Sequence, residues 1–97
     1  MFIHVVVFEV APSEVQQYRA DSKMWARYAT KARGFISYHT MKRFDCRDHY
    51  ASVYEWKTKR DQDAFMKKNH DWLVGMSKAR VHVESYFNLK SIDRLKP

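Results

Sequence analysis

Five histidines in 97 residues are the groups best suited to chemistry here, and none stands four residues from another on a helical stretch. That scatter argues for proton transfer rather than for holding a metal ion, since a zinc site read from sequence needs paired His or Cys spacings. His4 is the most conspicuous, because it interrupts an apolar run, Phe2 to Val10. Imidazole exchanges protons near neutrality, so His4 is the first candidate base for a phenolic or enolic substrate. The competing reading is a hydrogen-bonded core histidine. His39, between Tyr38 and Thr40, and His70, between Asn69 and Asp71, are reserve candidates. Trp56, Trp25, Tyr54 and Phe65 are the candidates for shaping a pocket around a flat aromatic molecule, and core packing is their alternative role. Tyr38, Tyr54 and Tyr86 can donate to a developing oxyanion. His49 and His82 read as turn and strand-edge residues, although His82 and His4 can meet if their strands are neighbours.

Other chemistries are excluded by what is missing. No Ser-His-Asp order and no phosphate loop occur, and two glycines, Gly34 and Gly75, cannot build a glycine-rich cradle. The single Cys46 cannot form an internal disulfide, so a reducing cytoplasmic setting is expected, with Cys46 a solvated turn thiol. The longest apolar run is too short to span a bilayer, and no membrane association is expected. The net charge of +7 is spread along two helical stretches, which fits solvated helix faces better than a nucleic-acid footprint.

The elements that position these residues follow from periodicity. Phe2 to Val10 is apolar on both alternating faces, as expected of a central, twice-covered strand. Ser13 followed by Gln16 predicts a capped helix from Glu14 to Ala32, with Val15, Tyr18, Ser22, Trp25, Ala29 and Ala32 in one stripe. Gly34 stops it. Strands follow at Phe35 to Arg43 and His49 to Trp56, joined by the polar turn 44–48. Thr58 with Asp61 caps a second helix, which Asn69-His70-Asp71 is expected to kink or break. A last strand spans Val81 to Leu89. The domain is expected over 1–90, with a polar tail at 91–97.

This order predicts an α+β, ferredoxin-like βαββαβ fold, a four-stranded antiparallel sheet with both helices on one face. Right-handed crossovers put the first and third strands in the centre. Ile3, Val5 and Val7 lie on one face of the first strand, Phe2, Val6 and Phe8 on the other, and the helices cover only one set. A second copy is the simplest cover for the rest, so a homodimer joined sheet to sheet into an α/β barrel is expected.

With a short apolar first strand, Arg33-Gly34-Phe35-Ile36-Ser37-Tyr38 opening the second, Tyr54-Glu55-Trp56 closing the third, and Phe65 then His70 in the second helix, the chain resembles the antibiotic biosynthesis monooxygenase domain family. The resemblance implies a dimeric α/β barrel without bound cofactor, in which a deprotonated aromatic or polycyclic small molecule reacts with molecular oxygen. A non-catalytic small-ligand-binding domain of the same shape is the alternative. The haem-degrading branch is disfavoured: its first-strand Asn, helix Trp and helix His fall on Val6, Phe65 and Gly75. The RNA-recognition module shares the element order, but its Gly-Phe motif belongs on the third strand and stands here on the second.

Overall fold

A computed structural model describes residues 1–97. The elements are β1 (Phe2–Glu9), α1 (Val15–Ala29), β2 (Phe35–Lys42), β3 (His49–Trp56), α2 (Lys59–Met76) and β4 (His82–Lys90). The strands form one antiparallel sheet in the order β2-β3-β1-β4, so β1 and β3 are central, as their apolar patterns require. The fold is ferredoxin-like, and both helices lie on one sheet face. Phe2, Tyr54 and Trp56 of that face close the core against Ala29 of α1 and Phe65 and Leu73 of α2.

Local chemistry explains most boundaries. Thr58 Oγ1 accepts from the Asp61 amide at 3.2 Å and starts α2 as expected. Gly34 adopts φ +81°, which turns the chain from α1 into β2. Glu9, Val10 and the turn are tied together by the Val10 amide donating to the Asp48 carbonyl at 2.8 Å. Asp48 itself sits at φ 59°, a left-handed position that Asp tolerates.

Three expectations change. Ser13 does not cap α1. Proline at 12 fixes φ and opens a 3₁₀ turn over Pro12–Glu14, so α1 begins only at Val15. Glu14 is used elsewhere, accepting from the Arg80 amide at 2.8 Å. The first helix also ends three residues early, at Ala29, where Thr30 Oγ1 donates back to the Arg27 carbonyl at 2.7 Å. Finally, α2 runs unbroken through Asn69-His70-Asp71. The Asn69 side-chain amide donates to the Phe65 carbonyl one turn back, at 3.1 Å, and does not compete for the helix backbone.

Gly34 has a second constraint besides its φ. A Cβ there would collide with the Asp61 carboxylate, which lies over the turn. Gly34→Ala is therefore expected to lower stability by about 1–3 kcal/mol, read as a drop in the urea midpoint with unchanged slope. A midpoint equal to that of the parent would contradict this account of the turn.

Candidate functional site

The helices do not seal against the sheet everywhere. A cavity of about 340 Å³ remains between β1, β3, α1 and α2, near the low end of the ligand-pocket range of roughly 300–1,000 Å³. The face that sequence left open is thereby assigned: His4, Val6 and Phe8 of β1 line the cavity, and Ile3, Val5 and Val7 point the other way. One wall is apolar, with Val6, Met66, Val74 and Val83. The other carries hydroxyls and rings.

His4 is 9% exposed and its partner is Asn88, directly opposite it in the β1–β4 ladder. His4 Nδ1 and Asn88 Oδ1 are 2.7 Å apart. An amide oxygen only accepts, so Nδ1 donates and the neutral ring carries its lone pair on Nε2. That is the form a general base requires. On its other flank His4 faces Tyr54, ring centroids 6.2 Å apart.

A chain of hydroxyls lies beside this pair. Thr40 Oγ1 donates to Tyr38 Oη at 3.2 Å, Tyr38 donates to Ser52 Oγ at 3.0 Å, and Tyr18 meets the same Ser52 Oγ at 2.9 Å. Thr40 is exposed and Tyr18 buried, so the chain links cavity to surface. Burial pushes the Tyr18 phenol up to about 12, with a smaller contribution from neighbouring Tyr38. Burial also holds Tyr54 well above 10.0, and Tyr38 and Tyr18 add to the shift. These phenols keep their protons at neutral pH and act as donors. They suit a substrate oxygen that gains negative charge.

The Tyr18 shift has a consequence for stability. Below pH 10.0 the folded and unfolded chains both hold this proton, and no stability is lost. Between pH 10.0 and about 12 the unfolded chain releases it first, so stability falls as pH rises. Denaturant titrations across that window are expected to show a decline that Tyr18→Phe reduces. An unchanged decline in Tyr18→Phe would assign it to other groups.

The remaining sequence candidates divide. Trp25 reaches the cavity and is fixed there, its Nε1 donating to Ser77 Oγ at 2.9 Å. His70 stands at the rim, edge-on to Trp25 with centroids 6.1 Å apart, and its Nδ1 lies 3.0 Å from Asp71 Oδ1. It projects from a continuous helix, not from a break. Tyr54 lines the cavity, whereas Trp56 and Phe65 do not: they stack in the core beneath it, centroids 5.3 Å apart. His39 is on the opposite sheet face, opposite Val53 and 3.8 Å from Glu55 Oε1, so it cannot join His4. Tyr86 is 72% exposed and outside the cavity. His82 is level with Glu9, not with His4.

Sequence reasoning missed Asn88, Ser52 and Tyr18 as site residues. Tyr18 stands in the predicted helical stripe, but nothing in a stripe says which hydroxyls converge. Two carboxylates fix the mouth. Asp21 Oδ2 accepts from the Lys78 and Ala79 amides at 3.0 and 2.7 Å, and Glu14 from Arg80, which clips the segment between α2 and β4 onto α1. Phe35 turns inward against Trp56, centroids 5.6 Å apart, so the apparent RNA-binding motif does not offer its aromatic ring on the open face.

A four-stranded antiparallel sheet backed by two helices, with a cavity lined by an imidazole and phenol hydroxyls, defines a ferredoxin-like α+β domain. The chain belongs to the antibiotic biosynthesis monooxygenase family, whose model matches residues 1–70. No curated protein matches it in sequence. Among solved structures it is similar to a variant of SnoaB, a cofactor-independent oxygenase from Streptomyces nogalater, at 12% identity, covering 99% of this chain and 97% of that one with a TM-score of 0.80. It is also similar to MhuD carrying two manganese protoporphyrin IX per active site, at 11% identity, full coverage of both chains and a TM-score of 0.79. A third likeness is to MupZ from Pseudomonas fluorescens, at 8% identity over 90% of this chain and 69% of that one, TM-score 0.75. At such identities the likeness establishes the shared fold and leaves the substrate open.

Proposed function

We propose that the protein is a cofactor-independent monooxygenase of a phenolic or enolic aromatic small molecule. The observation that carries this reading is the His4–Asn88 pair, which holds Nδ1 as the donor and sets the imidazole in the wall of a mostly apolar cavity. His4 Nε2 takes a proton from the substrate, and the Tyr54 and Tyr18 phenols stabilise the resulting oxyanion, whose charge is shared with a ring carbon. That carbon reduces molecular oxygen and forms a C–O bond. Loss of the second hydrogen and cleavage of O–O leave a carbonyl on the substrate and one water, so one oxygen atom enters each product. Trp25 and Val6 hold the ring system flat. His70 at the rim and the Thr40–Tyr38–Ser52 hydroxyls offer routes for the proton.

A haem reading is not supported by the residues present. At the three positions carried over from the haem-degrading branch, Val6 is an apolar cavity residue, Phe65 is buried in the core and Gly75 has no side chain.

Two copies joined sheet to sheet form the functional unit in this reading. Support comes from the face away from the helices, where Met41, Phe87 and Leu89 are 52%, 44% and 50% exposed around β1. No helix is long and apolar enough to cross a membrane, and the lone thiol suits a cytoplasmic setting. Oxygen uptake with a panel of anthrones and quinols tests the activity, and sedimentation tests the dimer. A protein that binds a member of the panel without consuming oxygen is a ligand-binding domain instead.

A further inference from the structure

We propose that Glu9, His49 and Glu84 form a binding site for a divalent transition-metal ion on the sheet face turned away from the cavity. Three strands supply it. Glu9 of β1 stands opposite His49 of β3 on one side and His82 of β4 on the other. A bulge in the β1–β4 ladder, between Val7 and Phe8, leaves Glu84 without a cross-strand partner. Bulges re-aim side chains, and this one brings Glu84 beside the other two. One ligating atom from each of Glu9, His49 and Glu84 lies within 4.8 Å of the others.

The imidazole makes this more than two carboxylates at a strand end. His49 Nδ1 is 2.7 Å from the Arg47 carbonyl oxygen, which can only accept. Nδ1 therefore carries the hydrogen, and the Cys46 sulfur, 3.2 Å away, lies on the same side of the ring. The bare Nε2 of the neutral ring then points at Glu84 Oε2, 3.8 Å away, and Glu9 Oε2, 4.0 Å away. Both separations exceed a hydrogen bond. A lone pair facing two anionic oxygens is repulsive unless a cation sits among them. Two bonds of about 2.0–2.2 Å to one ion span such a gap. Anchoring the far nitrogen on a backbone carbonyl is also how metal-binding imidazoles are held.

Burial agrees with this assignment. The His49 side chain is 12% exposed and held through Nδ1, whereas the glutamate side chains are 57% and 45% exposed. Arg43 is bonded through its Nε to Asp45 at 2.9 Å, with Glu84 a weaker second anion beside it. One imidazole with two carboxylates favours zinc and its first-row neighbours over magnesium.

The rival occupant is a proton, which would make His49 an imidazolium bridging two glutamates. Calorimetric titration of the whole chain with zinc chloride, and separately with magnesium chloride, decides between them near neutral pH. Saturable binding of one zinc per chain is expected, with magnesium far weaker. Glu9→Gln and Glu84→Gln are each expected to weaken zinc by about tenfold or more, while His39→Gln, on the same face, leaves it unchanged. Both glutamines keep the shape of the side chains they replace, and sedimentation shows whether each variant keeps the parent's assembly. Nitrogen-detected NMR of His49 should show Nε2 shifting with zinc while Nδ1 stays protonated. Absence of stoichiometric zinc binding overturns the proposal. So does zinc binding indifferent to both glutamine variants, or a His49 ring that stays doubly protonated when zinc is present.

Discussion

His4→Gln is expected to lower oxygen uptake by about 10²–10⁴-fold, the usual contribution of a positioned general base. Glutamine still offers an amide hydrogen toward Asn88 Oδ1, so the buried contact at this position is largely kept and the loss is chemical. The companion variant Asn88→Leu separates position from chemistry. It removes the acceptor 2.7 Å from Nδ1, so the neutral ring redistributes between its two tautomers. Turnover then falls less than in His4→Gln, and nitrogen-detected NMR of His4 shows the mixture without any substrate. A His4→Gln protein that consumes substrate at the parent rate would remove His4 from the mechanism. A single unchanged tautomer in Asn88→Leu would remove Asn88 from its positioning role and leave the base untouched.

The largest effect on stability is expected at Trp56. It is wholly buried, with Phe35 and Phe65 packed on it at centroid distances of 5.6 and 5.3 Å. Trp56→Ala leaves a cavity in the centre of the core and is expected to cost about 3–5 kcal/mol. Small domains have about 5–15 kcal/mol in all, so a large part of the stability goes. Trp56→Phe should cost clearly less, for a specific reason. The indole Nε1 is buried and has no acceptor in the chain, so phenylalanine loses volume but also removes an unsatisfied donor. Urea unfolding of both variants measures the difference. Equal losses would show that the indole N–H is satisfied in solution, and the core description would need revision.

The two results divide along the same line as the sequence reading. Elements were legible because each is a local statement. The doubly apolar run Phe2 to Val10 marks a central strand, Thr58 with Asp61 caps α2, and Gly34 supplies the positive φ that turns α1 into β2. Where local signals competed, the reading slipped. Ser13 looked like a cap, but Pro12 beside it set a tighter turn. Asn69-His70-Asp71 looked weak as helix, but Asn69 bonds back along α2, and Leu73 beyond it is buried against the sheet.

The site was legible only in part. His4 was conspicuous because a polar ring interrupts an apolar strand. Its partner was not, because Asn88 lies 84 residues away and meets His4 only through the antiparallel register of β1 with β4. His39 was a reserve candidate in sequence, and strand alternation sends it to the other face. The same limit hid Glu9, His49 and Glu84, which no spacing rule joins. Composition and periodicity specify what each segment does by itself, since they act over one turn or two residues. Register, and the bulge that shifts it, are settled only when separate strands compete for shared hydrogen bonds and a common core, and that competition decides which side chains meet.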